Sequence, residues 1–465
     1  MTAFMDRDFL LTTATARRLY NEHAAALPII DYHSHLQQSE ILARKRFANM
    51  TELWLGGDHY KWRLMRAAGV SEDLITGNRP DKEKFEAYCR ILPLAPGNPV
   101  HHFSHLELRR IFGMDDIVIN AKNAGRIWEE GNAKLAQMDT WFLLDQANVE
   151  VACTTDDPAD DLAQHAEIAK TALKTRVLPA YRPDKAMRIN QDGFAEYLEK
   201  LGSVAGVKIS GFADMIEALV KRVAYFHERG ARVSDHAVDV ALPAESAPAS
   251  TLEAMFKKRL AGGLLSEAEQ GQYHLAMLTE LGRAYAAHGW VMCFHIGAQR
   301  NNNSRMMGKL GADTGYDSVS DMTCSRGIAH LLDSLDKEDK LPKTMLFCLN
   351  NKLNDILITL AGCFQDGRTV GKVQFGPAWW FNDHKEGNLQ QLRDLCNNGL
   401  LGTFVGMLTD SRSFASYPRH DYFRRLLCRL LGEWVESGEY PDDPEALKTI
   451  VRGVSYENAK LYFGM

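Results

Sequence analysis

Eight short apolar runs, each stopping at polar residues or glycine, punctuate this chain of 465 residues. The first, Leu27-Pro28-Ile29-Ile30, stops at Asp31; the next two, Val149 to Thr155 and Arg176 to Ala180, stop at Asp156-Asp157-Pro158 and Tyr181-Arg182-Pro183. Ala231 to Ser234 ends at Asp235-His236, Trp290 to Phe294 at His295-Ile296-Gly297, and Thr344 to Cys348 at Leu349-Asn350-Asn351. Lys372 to Phe375 ends at Gly376-Pro377, and Gly402 to Thr409 runs into Asp410-Ser411-Arg412. Short runs of this kind, bounded by turn residues, have the pattern of buried strands. Helical spacing follows most of them. The pattern predicts an α/β fold, a (β/α)8 TIM-type barrel with its functional residues at the C-terminal ends of the strands. An open doubly wound sheet would be marked by a glycine-rich turn after a strand, and no GxGxxG or P-loop occurs at these junctions. Val204 to Ile209, a weaker ninth run, is read as a connection.

The same pattern divides the chain. Residues 8–26 carry Leu, Ala and Arg at helical spacing and predict a helix leading into the first strand. After His35 the strand pattern is lost for about a hundred residues, far beyond an ordinary connection. That stretch is helical and aromatic-rich, with Trp54, Tyr60, Trp62, Phe85, Phe103 and Trp128, and is broken by Pro93, Pro96 and Pro99. It predicts an inserted α-helical subdomain over 37–148, after the first strand of a catalytic barrel formed by 1–36 and 149–465. A smaller helical insertion is expected over 240–289, and the apolar stripes from Tyr422 to Val435 read as core. A barrel alone takes roughly 250 residues, so a chain this long has room for such additions.

Candidate chemistry enters at the first strand's end. His33 and His35 are two residues apart and on a strand would point the same way, and two such imidazoles can bind one divalent metal. In a closed barrel the first and last strands are neighbours, which brings Asp410 to the same rim as a third ligand. An HxH pair alone is as often structural; a full set of strands is what makes it specific. The net charge of -6 comes with no basic cluster, so neither nucleic acid nor a membrane surface is an expected partner. A small anionic substrate and further copies of the chain, in a homo-oligomer, are. No apolar stretch reaches membrane-spanning length, and Asp6-Arg7-Asp8 before the first apolar run fits no signal or transit peptide. The eight cysteines form no CxxC pair and three fall inside predicted strands, as expected of reduced thiols in a cytoplasmic enzyme.

Several segments together resemble the uronate isomerases (glucuronate isomerases) of the amidohydrolase superfamily. They are Asp31-Tyr32-His33-Ser34-His35, Asp58-His59-Tyr60-Lys61-Trp62-Arg63, Phe294-His295-Ile296-Gly297-Ala298-Gln299-Arg300-Asn301-Asn302-Asn303, Trp379-Trp380-Phe381-Asn382-Asp383 and Thr409-Asp410-Ser411-Arg412. The resemblance covers essentially the whole chain. It implies interconversion of D-glucuronate with D-fructuronate, and of D-galacturonate with D-tagaturonate, with one zinc ion at the barrel mouth. The dinuclear hydrolase pattern of the superfamily is absent: the fourth run ends in Asp235-His236 without a bridging lysine, and the sixth in Asn350-Asn351 without histidine. One divalent metal is therefore expected. A mononuclear hydrolase or lyase acting on a small anion is the alternative, and a non-catalytic sugar-acid binder a more distant one.

Aldose–ketose isomerisation needs a base at C2, polarisation of the C1 and C2 oxygens, and return of the proton. The resemblance points to Tyr60 as a participant, but a phenol of pKa about 10 would need lowering by roughly 3 units, by the metal and Arg412, to act as base. Asp410, ionised at neutral pH, is the rival base as well as a ligand. Arg182, Arg300 and Arg412 are candidates for holding a carboxylate. His295 is open between metal ligand, substrate contact and buried structural histidine, with substrate contact favoured; His59 is similarly open. Trp379 and Trp380 fit a wall for the C–H face of a sugar. His101, His102 and His105 match no strand end and read as surface or capping residues.

Overall fold

The computed structural model describes residues 3–465. Its nine strands are β1 (Ile29–Asp31), β2 (Val149–Cys153), β3 (Arg176–Leu178), β4 (Val233–Val238), β5 (Val291–Ile296), β6 (Ala298–Gln299), β7 (Ser318–Val319), β8 (Lys343–Cys348) and β9 (Val373–Phe375). Two parallel sheets, β1-β2-β3 and β4-β5-β8-β9, account for seven of the predicted runs. β6 and β7 make a small antiparallel pair in the loop leaving β5. Beyond β3, Tyr181 joins the two sheets: its N–H donates to Val233 O (3.1 Å) and its carbonyl accepts from Asp235 N (3.0 Å).

The strands of these two sheets are buried at nearly every position because both faces are covered. Ile30, Val151, Cys153, Val233, Val291, Cys293 and Met345 share one layer, completed by Tyr462, Phe463 and Met465. Met292, Phe294, Leu346 and Val373 belong to a second layer and Ile29, Val149, Ala152 and Val177 to a third, both packed with helices. The third also takes in Trp54, Phe85, Tyr88, Phe112 and Ile127 from the helices between β1 and β2. No helix among the described residues is long and apolar enough to cross a membrane.

The eighth predicted strand requires correction. Leu401–Thr403 is a 3-10 turn and 404–410 carries no ladder. Gly406 stands at φ +76°, left-handed backbone that breaks an extended run, and a Cβ there would collide with the Val454 carbonyl. Side chains replace the ladder. Gln374 Nε2 of β9 donates to Thr403 O (3.2 Å), and Asn458 Nδ2 to Gly402 O (2.9 Å) and Phe404 O (2.8 Å). From the β1 side the Tyr32 hydroxyl donates to Gly406 O (2.8 Å), while the Asp31 carboxylate accepts from the Thr409 N–H (2.9 Å) and hydroxyl (2.6 Å).

Other differences are smaller. The helix expected over 8–26 is confined to Ala14–Leu19 plus a π-helical turn to Ala24, because the Thr13 hydroxyl caps it by accepting from Ala16 N (3.0 Å). Helix Glu267–Ala287, expected within an insertion, packs beside helices Phe212–Glu228 and Ser325–Asp336, where a crossover joining parallel β4 to β5 must run. Helix Ala249–Leu260 precedes it in the same connection. His105 is not a surface residue: it is fully buried on helix Pro99–Phe112, its Nε2 accepting from Ile119 N (3.0 Å).

Candidate active site

The turn leaving β1 is laced to its neighbours. Ser34 N–H donates to Cys153 O on β2 (2.9 Å), Asp410 N–H to His33 O (3.2 Å), and His35 N–H to Ser411 O (2.9 Å). Backbone pairing thus interleaves His33 and His35 with Asp410, the adjacency expected of the first and last runs. His33 Nε2 and His35 Nε2 stand 3.2 and 3.1 Å from one oxygen, Asp410 Oδ1. Asp410 holds φ +46°, an uncommon conformation for a residue with a Cβ.

A second set of groups meets His33 from behind. β4 does not end at Asp235 as expected but continues to Val238, so Asp235 lies within the strand, 1% exposed. Its Oδ2 is 3.4 Å from His33 Nδ1 and its Oδ1 is 3.1 Å from His295 Nδ1 on β5. His33, His35 and Asp410 bring their donor atoms within 4.8 Å of one another, and so do His33, Asp235 and His295. Nε2 of His33 and of His295 are buried without a hydrogen-bond partner.

Burial alone would push the Asp410 carboxyl up, but the His33 and His35 imidazoles outweigh it and hold it well below the usual range. Asp235 is likewise depressed, burial being overcome by Arg182 and then by His295 and His33. Burial pulls His295 down to about 3 in spite of Asp235. At neutral pH the site holds two ionised carboxylates and a neutral His295.

These groups open into a cavity of about 910 Å3, at the upper end for small-molecule sites. Of the residues expected at the site, His35, His59, Arg182, His295, Arg300, Trp379, Trp380, Asp410 and Arg412 line it. Trp379 and Trp380 are both largely buried, and the Arg300 guanidinium lies 4.8 Å from the Trp380 ring centroid. Each arginine already faces a carboxylate. Arg182 donates to Asp235 (3.0 Å) and Asp184 (2.9 Å), Arg300 to Asp317 (3.2 Å), and Arg412 to Asp313 (3.0 Å). The Arg412–Asp313 pair is the most exposed of these, at 37% and 54% of its side chains.

Tyr60 does not line the large cavity. It lies on a smaller one of about 310 Å3 that adjoins Asp410 and Arg412 from the side of the helical segment. Asp58 places it by capping helix His59–Ala67, accepting from Tyr60 N (3.0 Å) and Lys61 N (3.1 Å). In the protein alone, burial and then Asp410 push its hydroxyl well above 10, and the cation that opposes them is Arg419, not Arg412. Sequence reasoning missed Asp31, Asp235 and Arg419 as parts of this site. Asp235 directly precedes His236 at a run's end, the one available signal; the other two had none beyond proximity to the motifs.

A family model described as glucuronate isomerase matches residues 1–463. The chain is 52% identical over 465 residues to a uronate isomerase of Caldicellulosiruptor saccharolyticus, covering 100% of both chains. Among solved structures, the uronate isomerase of Thermotoga maritima superposes with a TM-score of 0.94 at 35% identity, covering 99% of this chain and 100% of that one. The glucuronate isomerase of Caulobacter crescentus gives 0.90 at 27% identity, covering 100% and 97%.

Proposed function

The chain belongs to the glucuronate isomerase family, and from that premise we propose that its cavity interconverts D-glucuronate with D-fructuronate, and D-galacturonate with D-tagaturonate, by moving a proton between C2 and C1. The observation that carries the reading is the convergence of His35 and Asp410, with His33 behind them, and three arginines on one cavity. A mononuclear hydrolase or lyase is disfavoured by the full-length match to isomerases. The proposal includes a closed eight-fold barrel of residues 1–36 and 149–465. Supporting closure are the Tyr181 join and the side-chain ties of 402–409 to β9 and β1. The helices of 37–148 then form an inserted subdomain. A cytosolic location suits the eight free thiols.

His33, His35 and Asp410 would hold one divalent cation, and zinc suits an imidazole and carboxylate donor set. The fit is supported by the buried His33 Nε2, which lies 3.2 Å from Asp410 Oδ1 without making a hydrogen bond, and by the closeness of the three donors. When bound, such a cation polarises substrate oxygens. Asp410, ionised, accepts the proton from C2 and returns it at C1, while the hydroxyl proton of O2 passes to O1. Tyr60, kept protonated by its surroundings, donates a hydrogen bond rather than acting as base. Arg412 takes the substrate carboxylate, because an exposed ion pair such as Arg412–Asp313 is worth only about 0–1 kcal/mol and exchanges cheaply. Arg182 and Arg300 stay locked to their carboxylates and offer their remaining N–H groups to hydroxyls, with His59 and the neutral His295 beside them. Trp379 and Trp380 cover the C–H face and exclude water.

The test is NMR of the purified, metal-loaded protein with D-glucuronate in D2O. Appearance of the ketose supports the reading, and deuterium at its C1 reports how far the transferred proton exchanges with solvent. No ketose from either glucuronate or galacturonate would overturn it.

A further inference from the structure

Arg419 sits in the first turn of helix Pro418–Glu436 and is 8% exposed, with no place in the motifs discussed so far. Its Nη1 donates to the carbonyl of Thr409 (3.3 Å). That carbonyl belongs to the peptide unit whose N–H is Asp410's own, and this N–H donates to His33 O (3.2 Å). One peptide plane is therefore gripped at both ends, and its orientation sets the φ of +46° that aims the Asp410 carboxylate. A non-glycine residue in that region is strained and persists only where its surroundings over-determine it. Asp31 adds to the grip by holding the Thr409 N–H and hydroxyl.

The same guanidinium stands 5.7 Å from the ring centroid of Tyr60 and 4.9 Å from that of Phe103. Its nearest carboxylate, Asp383, is 3.8 Å away, and its Nε is buried without a partner. An arginine kept only for an ion pair would meet its carboxylate closely and leave no buried donor unsatisfied. This one gives up such pairing while spanning the Thr409 carbonyl and the face of Tyr60.

We propose that Arg419 is a positioning residue for proton transfer: by holding the Thr409–Asp410 peptide and facing Tyr60, it fixes the carboxylate and the phenol relative to each other. It touches no substrate. The inference rests on the isomerase reading above.

The test compares full-length wild type, R419Q and R419K for kcat, KM with D-glucuronate, Tm and bound metal. Misplacement of a reacting group lowers turnover while leaving ground-state binding intact. R419Q is expected to lose kcat by about 50-fold with KM within about threefold and Tm within a few degrees. R419K, which can still donate to the carbonyl, recovers part of it, to within about tenfold of wild type. A kcat for R419Q within twofold of wild type overturns the proposal, as does a rise in KM at unchanged kcat, or activity that merely follows Tm in both variants. Should R419Q not fold, R419K decides: a kcat lowered about fivefold or more at unchanged KM and Tm supports the role, and wild-type kcat overturns it. Wild type that converts no uronate sinks the isomerase reading itself, whereas active wild type with unaffected variants sinks only this inference.

Discussion

His33 is used from both sides, with Asp410 at Nε2 and Asp235 at Nδ1, so its loss removes the donor common to both clusters. Wild type is expected to carry about one divalent ion per chain and H33A none, read by elemental analysis after gel filtration with far-UV circular dichroism unchanged; D235N should bind about 10- to 100-fold more weakly in chelator competition. His105 provides a test remote from the site. Burial lowers it to about 4, against the opposing His101 carbonyl, while an unfolded histidine titrates near 6.5. Between those values the unfolded state binds more protons, so stability falls as pH drops from about 6.5 to about 4, by up to about 3 kcal/mol from this residue. Urea midpoints at pH 7 and pH 4.5 should therefore differ less in H105Q than in wild type. The meeting of His33, His35 and Asp410 could be read from sequence because an HxH follows one apolar run and an aspartate closes another. Asp235 and Arg419 could not, since a carboxylate inside a strand or an arginine on a helix acquires its role only from what folding places opposite it.

Strands were legible where both faces are covered, which is why seven runs were found although β1 to β5 each end elsewhere than expected. β4 was cut short because Asp235 and His236 are polar, and sequence gives no means of telling a strand's polar end from buried charges within it. The run at 402–409 failed for the opposite reason: it is apolar enough for a strand, but one glycine and side-chain hydrogen bonds replace the ladder. Gly406 and Gly69 separate strain from crowding. Both have positive φ, +76° and +75°, but a Cβ on Gly69 meets nothing within 4 Å, whereas one on Gly406 strikes the Val454 carbonyl. G69A should cost about 1 kcal/mol and G406A about 2–4 kcal/mol, the added part coming from overpacking, as measured by chemical denaturation. The helical stretch after β1 was visible from its length and aromatic spacing alone.

For the molecule as a whole, the decisive contacts lie far apart along the chain. Asp31 and Thr409 are 378 residues apart in sequence, and Tyr32 and Gly406 are 374 apart. The layer shared by the strands is completed by Tyr462, Phe463 and Met465, whose neighbours include Tyr32 and Cys153. Pairings of such separation form slowly because a long loop must close before they contribute anything. After dilution from denaturant, helical circular dichroism should recover well before metal binding and turnover; simultaneous recovery would contradict this.

The interleaving of His33, His35 and Asp410 also has a temporal side. During synthesis at about 5–20 residues per second, β1 leaves the ribosome tens of seconds before the segment that pairs with it. For that interval the turn after β1 lacks Asp410, the carboxylate its two imidazoles share, although Asp235 can meet His33 once β4 has emerged. A nascent or truncated chain can thus gather helices and most of its strands while having no active site at all, so competence for catalysis is among the last properties the polypeptide acquires.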